Sequence, residues 1–307
     1  RPLHFAAGRR KIYVFTAVVL LTGAAVSGAN GIRLDTQFTG GAILRYTYTG
    51  EADTKQAGAA VEKLVKRPVS TQITEDPLTG QKKLILTLAG NKGISPDEQK
   101  KVLEALGQDK EAAYTLSETS VVEPYIGAKA LKNSAAAVGL SSLFIVLYIW
   151  IRFSALSGLS AGITAVIALL HDAAIVLFVF GIGKIPVNDA FVAVTLTIIG
   201  YSINDTIVLY DRIRENLARG GRKKEGLCRL VDRSITETIG RSVKTAFTTA
   251  LCAAVVLVFA CVYDIGSIKV FALPLLAGVI SGCYSSVCIA GPLWVTWKEF
   301  RERRTKK

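Results

Sequence analysis

Six stretches of this chain are apolar over about 18 to 28 residues each, and no other feature restricts the fold as strongly. About 20 apolar residues in a helix cross the ~30 Å hydrocarbon core of a bilayer, where the backbone must satisfy its own hydrogen bonds. Each stretch is therefore predicted to be a transmembrane helix. The stretches cover residues 12–29, 134–151, 155–180, 189–210, 242–263 and 270–297.

The composition agrees with a membrane protein. Half of the residues are hydrophobic and only 20% are charged, below the ~25% of an average soluble chain. Together with a mean hydropathy of +0.39, these values exclude a disordered chain, a small disulfide-bonded scaffold and a collagen-like rod.

Positive charge is distributed unevenly along the chain. The N-terminal tail and first span (1–29), Arg152, the loop 211–241 and the tail 298–307 carry 20 basic and 7 acidic residues, whereas residues 30–132 carry 14 and 13. Cytoplasmic segments of membrane proteins are enriched in Lys and Arg. Both termini and the loop are therefore predicted to face the cytoplasm. Residues 30–132 are then an extracytoplasmic domain, and residues 133–297 hold spans two to six.

The net charge of +13 is explained by these basic segments, which set the orientation of the protein in the membrane. No nucleic-acid partner is therefore expected.

The first apolar stretch follows Arg9, Arg10 and Lys11 and ends in small residues, which is also typical of a signal peptide. Cleavage would leave five spans and termini on opposite sides. An uncleaved anchor with both termini in the cytoplasm is the favoured interpretation.

The polar segment is predicted to begin with extended structure over residues 32–49, with a tight turn or bulge at Gly40 and Gly41, followed by a helix over 52–67. Strands are predicted at 69–75 and 82–89, joined by a turn at 76–80.

A second helix is predicted from Pro96, after the N-cap Ser95, to about Leu106, and a last strand at 113–122. The resulting order β-α-β-β-α-β is that of a ferredoxin-like α+β domain. The segment contains no His and no Cys, so neither a catalytic site nor a disulfide framework is expected there. Its predicted role is mechanical contact with another chain.

Ionisable residues inside a span cost ~2.5–3.5 kcal/mol to insert, which makes each a candidate for function. Asp205 in the fourth span is the foremost candidate, about 10 Å below the cytoplasmic interface at 1.5 Å per residue. On the fifth span, polar residues at helical spacing form one stripe, predicted to face this carboxylate and line a proton or ion path. The stripe consists of Arg241, Lys244, Thr245, Thr248 and Thr249. The alternative is a buried ion pair that only fixes helix packing.

Four polar neighbours of Asp205 are predicted to support such a path. Tyr201 and Ser202, at i−4 and i−3, are expected on its helical face, and Asn204 and Thr206 on adjacent faces.

The pair His171 and Asp172 in the third span is a weaker candidate for the polar path, and a helix–helix hydrogen bond is its simplest role. A metal site is not expected, because the second histidine of the chain is His4 in the N-terminal tail. Small residues of the sixth span are predicted to form a close-packing face; they are Gly278, Ser281, Gly282 and Ser285. No nucleophile–base pair or phosphate loop is present, so neither an enzyme nor a cofactor is expected, and the proton is the predicted coupling ion.

The fourth-span sequence GYSINDTIVLYDRIREN, residues 200–216, resembles the signature of SecF, the family of membrane subunits that act with SecD in protein export. Further similar motifs follow over nearly the whole chain: FTGG at 38–41, YIWIRF at 148–153, ALLHD at 168–172, LTIIG at 196–200 and YSS at 284–286. The resemblance implies a six-helix bundle, the half-unit of a resistance-nodulation-division transporter, with a small α+β domain inserted after the first helix.

The resemblance also implies a function. With SecD, a SecF-like protein of the bacterial inner membrane uses proton flow to assist late translocation of unfolded polypeptides through the SecY-E-G channel, with YidC and YajC as further partners. Asp205 matches the family's membrane carboxylate and Arg241 its partner arginine, both implicated in proton transport. Lys244 departs from the aliphatic residue of the family pattern, so a second cation is expected near the pair.

Two other classes remain open. A proton-coupled small-molecule or ion exporter of the same superfamily would use the same carboxylate, but usually carries two transmembrane halves in one chain. A non-transporting membrane scaffold would keep the topology, and its buried charges would only hold the helices together.

Overall fold

The computed structural model describes residues 4–50, 54–75, 81–90, 93–107, 112–122, 124–156, 158–220, 225–263 and 265–305. Within these ranges six helices are long and apolar enough to cross a membrane, as predicted, and the chain is a multi-pass membrane protein. They are named spans 1 to 6 in chain order: Arg9–Asn30, Ile126–Arg152, Gly158–Ile182, Asp189–Ala218, Leu227–Val262 and Gly266–Arg304.

Spans 2 and 6 are not uniform helices. The helix of span 2 already begins at Pro124, directly after the last strand of the inserted domain. Span 6 consists of an α-helix over Gly266–Tyr284, a π-helical turn over Ser285–Ala290 and an α-helix over Gly291–Thr305. A 3₁₀ turn at Ser154–Leu156 joins spans 2 and 3.

Spans 3, 4 and 6 form the centre of the bundle. In the most apolar 18-residue stretches of spans 3, 4 and 6, 44%, 44% and 50% of the residues are buried. The corresponding values for spans 1, 2 and 5 are 11%, 6% and 17%. Spans 1, 2 and 5 therefore leave most of their apolar surface open, to lipid or to another chain.

Residues 211–241, predicted as the cytoplasmic connection between spans 4 and 5, are largely helical where the structure describes them. Span 4 continues as a helix to Ala218 and span 5 begins at Leu227. The two extensions pack together, because Asn216 Nδ2 donates to Ser234 Oγ and Glu237 Oε2, both at 2.9 Å. Buried apolar residues line their contact; they are Ile213, Leu230, Val231 and Ile235. Because charged residues alternate with these apolar residues along the chain, the apolar face is not evident from the sequence.

The inserted domain has the predicted ferredoxin-like order. Its four strands are β1 (Gly41–Gly50), β2 (Val69–Glu75), β3 (Lys82–Ala89) and β4 (Ala112–Val122). They form one antiparallel sheet in the order β2-β3-β1-β4. Two helices, Thr54–Val65 and Pro96–Leu106, cover the sheet. The predicted turn at 76–80 lies outside the described residues.

Apolar side chains of alternating strand positions make the domain core. Leu44, Leu84, Leu86 and Leu88 are fully buried against Val61 of the first domain helix. The second domain helix begins as predicted, because Ser95 and Glu98 form a reciprocal capping box: Glu98 N donates to Ser95 Oγ, and Ser95 N to Glu98 Oε2.

The prediction of continuous extended structure over 32–49 is wrong at its start. Residues Thr36–Thr39 form a helical turn that Asp35 caps, and β1 begins only at Gly41. Gly40 and Gly41 have φ of 78° and 137°, and a Cβ on Gly41 would lie 2.0 Å from the Leu88 carbonyl oxygen. The backbone thus turns into the sheet at a place where only glycine fits.

The Gly41→Ala variant is expected to destabilise the inserted domain by about 3 kcal/mol or more, because it adds a backbone clash to a strained φ. Limited proteolysis of the detergent-solubilised protein should cut the domain markedly faster than in wild type. The matched control is Gly139→Ala on span 2, where nothing lies within 4 Å of the added Cβ. Equal proteolysis of the Gly41→Ala variant and wild type would contradict the expectation.

The domain is attached to the bundle at several places, one of them at Gln72 of β2, which lies 2.8 Å from the position of a Cβ on Gly266 at the start of span 6. The helical turn 36–39 packs against the start of span 2, where a Cβ on Gly127 would lie 2.8 Å from the Phe38 carbonyl carbon. The chain before it forms a parallel bridge with the turn between spans 3 and 4, since Val187 N donates to Arg33 O at 2.8 Å and Asp35 N to Val187 O at 3.0 Å. The domain is therefore in direct contact with the bundle.

Candidate functional site in the membrane spans

Two carboxylates are buried among the central spans: Asp172 of span 3 is 0% exposed and Asp205 of span 4 is 3% exposed. Burying a charge without a partner is costly, so the partners of each carboxylate decide what it can do.

Asp172 is saturated with hydrogen bonds. Its Oδ2 accepts from Ser202 Oγ of span 4 at 2.8 Å and from Ser285 Oγ of span 6 at 2.6 Å. Its Oδ1 accepts from Ser281 Oγ at 2.6 Å and lies 3.2 Å from Nδ1 of His171. The helix–helix hydrogen bond predicted for this pair is present, and it joins three spans.

Two features of span 6 bring its hydroxyls into this network. At Gly278 and Gly282 an added Cβ would lie 2.6 Å from Ile198 and 3.1 Å from Ser202, so the predicted small-residue face packs directly on span 4. The π-helical turn then begins at Ser285. Ser285 reaches Asp172, while the adjacent Ser286 donates to Ser202 O at 3.1 Å. π-helical turns of this kind are frequent at functional sites.

Asp205 has a different environment. Its Oδ2 is buried and has no hydrogen-bond partner. The Ser242 hydroxyl of span 5 faces the carboxyl group, and the Arg241 guanidinium is close enough to interact with it electrostatically. Within the described part of the chain, Asp205 forms no salt bridge. The predicted pair is thus adjacent but not in contact.

The four polar residues around Asp205 separate into different environments. The Ser202 hydroxyl donates to Asp172, and the Thr206 hydroxyl donates to Ser286 Oγ at 3.0 Å. The Tyr201 hydroxyl is buried without a hydrogen-bond partner, and its ring lies close to Asp205. Asn204 is exposed on the outer face of the helix. Ser202, which was expected on the helical face of Asp205, thus directs its hydroxyl to Asp172 of span 3.

The polar stripe of span 5 lies at the edge of the bundle. Arg241, Lys244 and Thr248 are exposed, and Thr245 is half-buried. The Thr248 hydroxyl donates to the carbonyls of Lys244 and Thr245 in its own helix at 3.1 and 2.9 Å. In this structure the stripe borders the site from the open face of span 5 and does not line an enclosed path.

Sequence reasoning missed Ser242, which is 3% exposed and faces Asp205. It falls between positions of the predicted stripe, so spacing alone did not select it. Within the described residues no group of three or more His, Cys, Asp and Glu is placed to hold a metal ion.

A third buried carboxylate, which sequence reasoning also missed, lies at the end of the bundle that carries both termini. Asp232 is 2% exposed and accepts from the backbone N–H of Ala6 at 2.6 Å and of Ala7 at 3.3 Å. Arg9 next to this segment pairs with Glu299 of the last helix at 2.6 Å. These contacts join the start of the chain to spans 5 and 6.

Asp232→Ala is expected to release residues 4–8, because two amides lose a charged acceptor worth about 2 kcal/mol or more. Hydrogen–deuterium exchange at Ala6 and Ala7 should become roughly 30-fold faster. Asp211→Ala is the matched control, since Asp211 pairs with Arg152 and Arg214 at the surface, where such pairs contribute ~0–1 kcal/mol. Unchanged exchange in Asp232→Ala would show that other contacts hold the segment.

Comparison with known proteins shows which family this chain resembles. Residues 100–300 match the family described as "Protein export membrane protein SecD/SecF, C-terminal". The protein translocase subunit SecF of Sebaldella termitidis is 30% identical over 296 residues, which cover 96% of this chain and 91% of that protein. The subunit SecDF of Bacillus subtilis is 30% identical over 295 residues, 96% of this chain but 38% of its own length.

A solved structure shows the same architecture. The crystal structure of SecDF from Thermus thermophilus, described as a translocon-associated membrane protein, superposes with a TM-score of 0.74 at 27% identity. The match covers 97% of this chain and 39% of that one. The chain thus spans well under half of the SecDF proteins it matches.

Proposed function

The chain belongs to the SecD/SecF family of protein-export membrane proteins, and we propose that it is the SecF-like subunit of a proton-driven export motor. In this proposal it lies in the bacterial inner membrane with both termini in the cytoplasm and residues 30–132 outside. Together with SecD it assists late steps in the translocation of unfolded polypeptides through the SecY-E-G channel, with YidC and YajC as further partners. The proposal contains no enzymatic step and no cofactor, since the proton is the coupling ion.

The observation that carries the proposal is the environment of Asp205. One of its oxygens is buried without a hydrogen-bond partner, and Arg241 is near but not paired. A neutral carboxyl group is compatible with this buried helix contact, whereas an ionised one needs water or direct contact with a cation. Arrival and departure of a proton therefore favour two different arrangements of spans 4 and 5.

The attachment of the inserted domain supports a mechanical output. The bridge between residues 33–35 and Val187 connects the domain to the turn that precedes span 4. The helical turn at 36–39 contacts span 2. In this proposal, movement of span 4 relative to span 5 is transmitted to the domain through the bridge at Val187.

The open faces of the bundle support a membrane-embedded partner. Span 5 exposes large apolar side chains along its length, among them Phe247 at 66% and Phe259 at 58% exposed. A SecD half placed there would cover Arg241 and complete the surroundings of Asp205. SecDF relatives carry more than twice the length of this chain in one polypeptide, which agrees with a second half.

The proposal is tested in cells depleted of their own SecF that express this chain with a SecD partner. Maturation of a secreted reporter is followed with and without a proton gradient. Gradient-stimulated export in the wild type and its loss in Asp205→Asn, at matched membrane levels, are the expected results. Full export by Asp205→Asn would instead favour a non-transporting scaffold, and proton-coupled efflux of small molecules without any effect on export would favour an exporter half-unit.

A further inference from the structure

We propose that Asp172 is a positioning residue for Asp205: a fixed carboxylate that holds span 4 against span 6 and does not itself carry the proton. This inference rests on the proposed function of Asp205 and assigns a role to the neighbouring carboxylate.

The hydrogen bonds of Asp172 suit an ionised group. Ser202, Ser281 and Ser285 donate three hydroxyl hydrogens to its two oxygens. An ionised carboxylate only accepts, whereas a protonated one must donate as well. His171 is a titratable group beside it, with the imidazole 3.2 Å from Asp172 Oδ1, and the Tyr284 ring lies 5.9 Å from that imidazole. The three hydroxyl groups hold the Asp172 carboxyl group between spans 4 and 6.

The same network fixes the segment of span 4 that carries Asp205. Ser202, three residues before Asp205, is bound to Asp172 through its side chain and to Ser286 through its carbonyl. Thr206, directly after Asp205, donates to Ser286 Oγ at 3.0 Å. The helix is thus held on both sides of Asp205 against spans 3 and 6.

This anchoring decides which groups Asp205 meets. With Ser202 and Thr206 turned towards spans 3 and 6, Asp205 points towards Arg241 and Ser242 of span 5. Tyr201 of its own helix and Cys283 of span 6 are the other titratable groups that face it. Loss of the anchor lets span 4 rotate, which changes the contact of Asp205 with Arg241 without any change in the residues themselves.

The experiment measures protonation of Asp205 directly. The complex of this chain with its SecD partner is treated with dicyclohexylcarbodiimide, which modifies protonated membrane carboxyl groups, across a range of pH. Mass spectrometry of the peptides separates modification of Asp205 from that of Asp172. Three variants are compared with wild type: Asp172→Asn, Ser202→Ala and, as control, Thr197→Ala. Thr197 lies on the same span, and its hydroxyl bonds only to Ala193 of its own helix at 2.7 Å.

A positioning role predicts that Asp172→Asn and Ser202→Ala both move the labelling midpoint of Asp205, in the same direction and by about 0.5 pH unit or more, a roughly threefold change in proton affinity. Thr197→Ala should keep the wild-type profile. Ser202→Ala removes no charge, so its shift separates positioning from a direct electrostatic effect of Asp172. If Asp172→Asn does not assemble, the labelling midpoint in Ser202→Ala alone tests the positioning role.

Two results would overturn the inference: a shift in Asp172→Asn alone, or labelling of Asp172 itself with the pH dependence seen at Asp205. The outcome is independent of the export assay. If Asp205→Asn exports at the wild-type rate, the proposed function fails, whereas the labelling shifts would still report that Asp172 positions Asp205.

Discussion

Asp205→Asn is expected to abolish the stimulation of export by the proton gradient while the protein still assembles with its partner. Asparagine has the size of aspartic acid and stays neutral, so it is compatible with the buried contact but can never take the ionised form. The protein then stays in one of the two arrangements of spans 4 and 5. Energetic coupling between linked sites is typically 5–150-fold, and we expect the gradient-dependent part of the export rate to fall by at least about tenfold.

The control for this variant is Asp211→Asn, the same chemical change six residues later on the same helix. The Asp211 side chain is only partly buried and pairs with Arg152 at 3.3 Å and Arg214 at 2.6 Å, and solvent-accessible pairs contribute little. It should export at the wild-type rate. The measurement is reporter maturation with and without an uncoupler, at equal amounts of assembled complex. Equal gradient dependence of both variants would remove Asp205 from the mechanism.

Arg241→Ala should cause a comparable loss for the opposite reason. Without the guanidinium, an ionised Asp205 is buried beside Ser242 with no cation to approach, and leaving a buried charge unpaired costs ~3–5 kcal/mol. The protein is therefore confined to the protonated arrangement. Because both single variants stop the same step, the double variant Asp205→Asn, Arg241→Ala should be no worse in export than either alone.

Lys244→Ala is the matched control for Arg241→Ala, since both cations are exposed on span 5 and lie three residues apart. No contact with Asp205 is observed for Lys244, so its removal should leave gradient-stimulated export within about twofold of wild type. Additive losses in the double variant, or an equal loss in Lys244→Ala, would indicate a general effect of positive charge on span 5. The readout is again export at matched levels of assembled complex.

The architecture of this protein could largely be predicted from local patterns. The apolar stretches located all six spans because their length follows from the thickness of the bilayer. Ser95, Pro96 and Glu98 located a helix start, since a capping box depends on neighbours in sequence. Asp205 stood out for the same kind of reason, as a short acidic side chain in an apolar stretch.

The features that local patterns did not predict have a shared cause. The helical turn at 36–39 and the helical extensions of spans 4 and 5 are stabilised by contacts with distant segments, such as Phe38 with Gly127 and Asn216 with Ser234. Ser202 was expected on the helical face of Asp205, yet its hydroxyl binds Asp172, thirty residues earlier.

Local sequence patterns were enough to predict the six spans, the order of elements in the inserted domain and the position of Asp205 on span 4, because hydrophobic length and helix or strand period are local properties. Which carboxylate has all its hydrogen bonds, and which has an oxygen without a partner, depends on the packing of the helices. That choice depends on the rotation of span 4, on the close approach at Gly278 and Gly282, and on the π-helical turn that directs Ser285 and Ser286 inward. Each of these is set by packing between helices, where a rotation of a fraction of a turn exchanges one hydrogen-bond partner for another.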